Sequence, residues 1–206
     1  MKTVSIKNKN VVQEACEVLN VGSVILYPTD TVYGLGADTT NKDAVEKIAY
    51  IKGRESEKTF LVMVSDLEML KEYAHMNATA EKLVQEFLPG ALTLILKAKG
   101  GKLSSVAKED GSVGFRIPDN QFCRDITKHF KKPIVSTSAN VSGLPTPENT
   151  QGVLEQLKEN VNEISLVIDG GPVTKNTPST IVDVRDEKIK IIREGAVSKD
   201  LLRPFL

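Results

Sequence analysis

The sequence predicts an α/β fold whose sheet mixes parallel and antiparallel strands, and three patterns carry that expectation. Compact apolar runs such as Val24-Ile25-Leu26-Tyr27 read as buried strands. Between such runs, apolar residues recur at helical spacing, as at Ala44, Val45, Ile48 and Ile51. Strand candidates also follow one another closely after residue 90 and again after residue 178, which requires antiparallel neighbours within the sheet.

Taken in order, Val12, Ala15, Cys16 and Leu19 make a helical stripe that Gly22 stops before a strand over 23–27. A loop is expected from Pro28 to Thr40. Thr40 or Asn41 then caps a helix carrying the Ala44, Val45, Ile48, Ile51 stripe, with Lys52 and Arg54 at its end. A strand over 61–64 leads to helical stretches over 66–73 and 79–87. The second shows Ala80, Leu83, Val84 and Phe87 on one face and is broken by Pro89-Gly90. Strands over 91–97 and 112–117 flank a Gly- and Lys-rich connection, whose Lys97, Lys99, Lys102 and Lys108 read as a solvated surface. Phe122, Ile126 and Phe130 mark a helix before Pro133, and Ile134-Val135 is a short strand. After the Pro-rich segment 143–147 come a helix near Val153, Leu154 and Leu157 and closing strands at 166–168, 180–184 and 188–192.

A chain of 206 residues fits one well-filled core, so a single domain over 1–206 is expected. Lys plus Arg equals Asp plus Glu at 27 each, which disfavours a protein that grips nucleic acid mainly through its phosphates. Any anion site must be local. The start has no apolar run of signal-peptide length and no stretch is long enough to cross a bilayer, so no membrane partner and a cytoplasmic location are expected. Cys16 and Cys123 stand alone and read as buried thiols. His75 and His129 read as surface residues, and no ligand cluster suggests a resident metal.

Two segments are too polar for a core and rich in useful side chains: Lys52-Gly53-Arg54, and Ser136-Thr137-Ser138-Ala139-Asn140-Val141-Ser142-Gly143. Cations set against short hydroxyls and an amide suit phosphate oxygens, provided the fold brings them together; the second segment alone also reads as an ordinary turn. A third, Pro28-Thr29-Asp30-Thr31-Val32-Tyr33-Gly34-Leu35-Gly36, follows a buried strand. It lacks the third glycine of a dinucleotide fingerprint, since position 39 is Thr, and no phosphate-binding Gly-x-x-x-x-Gly-Lys run occurs. It reads either as a structural turn or as a place where Thr31 and Tyr33 meet a small substrate. Arg116, in the apolar strand Val113–Pro118, needs a counter-charge: a ligand carboxylate, or one of the chain's own acids.

Lys52-x-Arg54, Ser138-x-Asn140 and Pro28 to Leu35, joined in order by Leu88–Thr93, Gly114–Pro118, Pro178–Asp183 and Ile192–Gly195, resemble the YrdC-like family of threonylcarbamoyl-AMP synthases. The likeness spans nearly the whole chain and suggests that family's short, single-domain form. It implies a twisted mixed sheet flanked by helices around a central positively charged cavity. It also implies a reaction in which L-threonine, bicarbonate and ATP give L-threonylcarbamoyl-AMP and pyrophosphate, toward threonylcarbamoyladenosine in tRNA. By the family pattern Lys52, Arg54, Ser138 and Asn140 form a polar tetrad, with Lys52 and Arg54 supplying phosphate charge. Arg54, Lys58, Ser112, Ser138, Thr146 and Arg193 would hold ATP, with Mg2+ arriving on its phosphates. Thr31, Arg116, Ser136 and Ser179 would receive threonine. Beyond these substrates, tRNA or proteins of its modification route are the implied partners. Met63 departs from the pattern, standing where some relatives carry His in the amino-acid pocket. The rival reading is a double-stranded RNA or tRNA-binding module without catalysis, which the zero net charge weakens. A carbamoyl-adenylate domain of the hydrogenase-maturation type would need zinc-binding cysteine pairs, which two solitary cysteines do not form.

Overall fold

The computed structural model describes residues 1–53, 60–173, 177–186 and 188–206. In chain order the elements are β1 (Lys2–Ser5), α1 (Val11–Asn20), β2 (Val24–Pro28), β3 (Tyr33–Asp38), α2 (Lys42–Ile51), β4 (Leu61–Met63), α3 (Leu67–Tyr73) and α4 (Ala78–Phe87). They continue with β5 (Leu92–Lys97), β6 (Ser112–Arg116), α5 (Gln121–Phe130), β7 (Ile134–Ser138), α6 (Thr150–Leu157), β8 (Ile164–Asp169), β9 (Thr180–Asp183), β10 (Lys190–Arg193) and α7 (Lys199–Leu202). Among the described residues the strands form one sheet in the order β1-β8-β2-β3-β7-β4-β6-β5-β9-β10. The sheet is mixed: β8 runs parallel to β1 and β2, whereas β3 lies antiparallel to both β2 and β7. The two close strand pairs are antiparallel as anticipated, β5 with β6 and β9 with β10.

The unbroken apolar run of β2 has a simple cause, because successive side chains of a strand point to opposite faces. Val24 and Leu26 enter the larger core with Ala44, Val45, Ile48 and Ile51 of α2. Ile25 and Tyr27 enter a second core with Ala15, Cys16 and Leu19 of α1 and Phe122, Cys123 and Ile126 of α5. Both faces are covered, so no polar residue interrupts the strand. The start of α2 is fixed by Asn41, whose side-chain oxygen accepts the Ala44 amide at 3.1 Å. Cys16 and Cys123 are buried, with their thiols directed at the carbonyls of Ile126 and Pro28. Burial first, then Glu17, pushes the Cys16 thiol up to about 11, and burial likewise raises Cys123. His75 and His129 are exposed.

Two expectations are corrected. The segment from Pro28 to Thr40 is not one loop, because Tyr33–Asp38 forms β3 in the middle of the sheet. Its Gly34 and Gly36 look like turn residues, yet a Cβ at Gly36 would stand 2.8 Å from the Tyr27 ring on β2. These glycines make room for a neighbouring strand's tyrosine. The short strand Ile134-Val135 also runs on through Ser136, Thr137 and Ser138, paired residue by residue with Gly36, Leu35 and Gly34. The hydroxyl-rich stretch therefore begins in a strand before it enters a loop. An edge strand, β1, was not anticipated, since only Val4 of its four residues is buried. Among the described residues no helix is long and apolar enough to cross a membrane.

Candidate functional site

A cleft of about 300 Å³ opens over the middle of the sheet, where the turn after β2, the ends of β6 and β7 and the start of β9 converge. The turn is built around one hydroxyl. Thr29 Oγ1 donates to the Val32 carbonyl at 2.7 Å and accepts the amides of Thr31 and Val32 at 3.1 and 3.2 Å. A threonine in that place folds the backbone back on itself, which starts β3 and turns Thr31 toward the cleft.

Arg116 closes one side. Its Nη2 donates to both carboxylate oxygens of Asp30 at 2.7 Å, its Nη1 to Thr31 Oγ1 at 3.0 Å and its Nε to the Gly90 carbonyl at 2.9 Å. Both partners of this ion pair are largely buried, with side-chain exposures of 14% and 13%. Of the two counter-charges open to Arg116, the chain's own acid is present. A ligand carboxylate would add to this arrangement and is not required by it. Ser136 lines the cleft beside this corner and accepts a hydrogen bond from the buried Tyr27 hydroxyl at 2.9 Å. Burial raises the Tyr27 phenol well above its ordinary range, so it remains a donor.

The opposite wall is the segment leaving β7, and Lys52 organises it. Lys52 follows the last turn of α2 and is only 3% exposed. Its ammonium donates to the Asn140 carbonyl at 2.9 Å, to Asn140 Oδ1 at 3.0 Å and to the Ser138 carbonyl. Ser138 Oγ also donates to Asn140 Oδ1, while the Asn140 amide donates to the carbonyls of Val141 and Leu144 at 2.9 and 2.6 Å. Three of the four tetrad residues thus form one network. The Lys52 ammonium shapes the Ser138–Leu144 segment, and because its acceptors here are neutral oxygens its positive charge still contributes to the cleft.

Arg193 and Ser179 complete the site from β10 and the start of β9. Arg193 Nη2 donates to the Ser179 carbonyl at 2.7 Å, and Ser179 Oγ shares a hydrogen bond with Thr93 Oγ1 at 2.9 Å. Among the described residues no carboxylate lies within ion-pair distance of Arg193. Partial desolvation in the cleft, and then the charge of Arg116, hold its pKa below the usual guanidinium value. Two guanidinium groups that disfavour one another across a cleft are a place where an anion is welcome.

Of the residues singled out from sequence, Thr31, Lys52, Arg116 and Ser136 line this cleft together with Ser138, Asn140, Ser179 and Arg193. Two are placed elsewhere. Ser112 is buried at the opposite end of β6 from Arg116, its amide bonded to Asp110 at 2.9 Å; four residues of strand, about 13 Å, separate the two. Thr146 lies in the connection between β7 and α6 and is not part of the lining. Arg54 and Lys58 lie outside the described residues. Met63 is buried in the second core and borders a small void of about 30 Å³ beside Arg116 and Ser136. Sequence reasoning missed Thr29, which organises the turn, and Asp30, which pairs with Arg116. Thr29 sat within a segment already singled out; Asp30 is 86 positions from its partner and has no local signal of the pairing.

Among the described residues no group of three or more His, Cys, Asp and Glu side chains is placed to hold a metal ion, and the lining carries three cations and no carboxylate. Such a donor set does not fit a resident divalent cation. It fits anions.

Known proteins share the fold. The model of the Sua5/yciO/yrdC family, described as telomere recombination, matches residues 17–195. Threonylcarbamoyl-AMP synthase of Bacillus subtilis is 34% identical over 197 residues, covering 95% of this chain and 56% of that protein. Sua5 of P. abyssi, solved in complex with L-threonine, superposes with a TM-score of 0.87 at 26% identity over 99% of this chain and 60% of that one. The chain therefore spans little more than half the length of these two relatives. Escherichia coli YciO superposes with a TM-score of 0.86 at 27% identity, covering 99% of this chain and 97% of that one. With a family model matching residues 17–195 and superposition on solved members over nearly its whole length, this chain belongs to the Sua5/YciO/YrdC family.

Proposed function

We propose that this protein is an L-threonylcarbamoyl-AMP synthase, a nucleotidyltransferase that takes L-threonine, bicarbonate and ATP to L-threonylcarbamoyl-AMP and pyrophosphate for threonylcarbamoyladenosine formation in tRNA. The observation that carries the reading is the cleft itself, in which Arg193 has no counter-acid among the described residues and faces a second arginine set in hydroxyls. The names of its relatives supply the chemistry: one is a threonylcarbamoyl-AMP synthase and another was solved with L-threonine.

In this reading the amine of threonine adds to bicarbonate with loss of water, giving a carbamate. A carbamate oxygen then attacks the α-phosphorus of ATP, the bond from that phosphorus to the bridging oxygen breaks, and pyrophosphate leaves. The nucleophile is already anionic, so the protein needs to offset charge and align the partners more than to supply a base. That suits a lining without His, Cys, Asp or Glu among the described residues. Arg193 receives a phosphate, with Ser179 beside it. The remaining N–H of Arg116 and the hydroxyls of Thr31 and Ser136 receive the amino acid. Lys52 holds Ser138 and Asn140 in the wall against which the nucleotide lies. Any magnesium ion comes on the triphosphate, because the cleft offers it no carboxylate among the described residues.

The test is pyrophosphate release from ATP. It is expected only when threonine and bicarbonate are both supplied, with threonine preferred to serine. Release that ignores threonine, or none with all three substrates, contradicts the assignment.

A further inference from the structure

We propose that Asp30 is a positioning residue that sets Arg116 to receive the carboxylate of the amino acid and keeps phosphate off it. The proposal rests on the reading of the cleft given above. It begins from a count of hydrogens. A guanidinium has five N–H groups. All three nitrogens that carry them already serve the protein, Nε on Gly90, Nη2 on the two oxygens of Asp30 and Nη1 on Thr31, so no two neighbouring nitrogens are both open to a ligand. The two-pronged grip that makes an arginine a strong phosphate binder needs two neighbouring nitrogens at once, and Asp30, Thr31 and Gly90 together occupy them all.

The position of Asp30 matters as much as its charge. It is not part of the cleft lining; it borders a wider groove of about 900 Å³ on the far side of the 29–31 turn, where Oδ2 also accepts the Asp119 amide at 3.1 Å. Asp30 thus holds Arg116 from behind without touching whatever lies in the cleft. Arg193, by contrast, has only a carbonyl and a hydroxyl as partners among the described residues. Arg193 offers a charge with no carboxylate beside it and two nitrogens, Nε and Nη1, without a partner among the described residues, while Arg116 offers no pair of open nitrogens and a charge offset by its neighbour. A polyanion is steered to the first and a carboxylate to the second, so Asp30 sorts two anionic substrates within one cleft.

The experiment compares the full-length protein with Asp30→Asn, which keeps shape and loses charge, and Asp30→Glu, which keeps charge. Calorimetric titration with L-threonine and with L-threoninol, which lacks the carboxylate, is repeated in inorganic pyrophosphate, and Arg116 side-chain nitrogens are followed by NMR. In Asp30→Asn threonine affinity should fall about tenfold or more, the preference for threonine over threoninol should shrink, and pyrophosphate should begin to displace threonine. Asp30→Glu should recover part of each. The Arg116 signals should show restricted rotation in the wild type and lose it in Asp30→Asn, a readout that needs no substrate. Unchanged threonine affinity and unchanged Arg116 signals in Asp30→Asn overturn the proposal. If the wild type shows the restricted signals and binds no threonine, the amino-acid reading falls and with it the sorting role, while the positioning of Arg116 by Asp30 stands.

Discussion

Arg116 and Arg193 face the same cleft from neighbouring parts of the sheet, yet they are held in opposite ways. Arg116 is tied to Asp30, Thr31 and Gly90, while Arg193 leans on the carbonyl of Ser179 and the Ser179 hydroxyl. The first is a finished interaction; the second awaits a partner. Arg193 is exposed to the cleft and has no carboxylate beside it among the described residues, so its charge is open to a ligand. Charge alone does not identify a binding residue, since what matters is how much of it the protein has already used.

This contrast can be broken by substitution, and the largest effect is expected at Arg193. Arg193→Ala should lower kcat/KM for ATP about a hundredfold or more while leaving the thermal midpoint almost unchanged, because a preorganised charge is lost and no ion pair among the described residues is. Steady-state kinetics beside a melting curve checks both halves. Arg116→Ala should instead damage activity and stability together. It leaves Asp30 without its counter-charge, at a cost of about 2–3 kcal/mol in denaturant unfolding. Lys52→Met should cost a similar or slightly smaller amount, about 2 kcal/mol, by orphaning the carbonyls of Ser138 and Asn140, and activity should fall through disorder of that wall. Unfolding in urea measures it.

The smallest expected effect is at Cys16. Its thiol is raised to about 11 from an ordinary value of 9.0, so the folded state favours the protonated form. Stability from this group is full below about pH 9 and is lost as pH rises from there toward 11, where the unfolded chain ionises first. Alkylation at pH 8 should therefore track unfolding, and rapid labelling of the native protein would contradict the burial.

Much of this was legible from residues alone, for physical reasons that differ by element. Helix α2 could be read because its cap, Asn41, and its stripe from Ala44 to Ile51 are local signals. Strand β2 could be read because both its faces are covered. Strand β3 could not, since Gly34 and Gly36 answer to a tyrosine on another strand, and nothing near them in sequence announces it. At the site, the hydroxyl-rich segment after Val135 and the turn after Pro28 were visible as places too polar for a core. The assignments within them were less so. Lys52 reads as a cation in sequence, and its added part as a buried brace shows only in space, because its acceptors come from a segment 86 and 88 positions away. The counter-charge of Arg116 was foreseen as one of 27 acids, and only the fold selects Asp30.

The most direct test of the central claim, that one cleft holds a nucleotide at Arg193 and an amino acid at Arg116, is a paired titration of ATP and L-threonine into Arg193→Ala and Arg116→Ala. Crossed losses are predicted, with ATP affinity falling in the first variant and threonine affinity in the second. Equal loss of both ligands in both variants, or no loss in either, would contradict it.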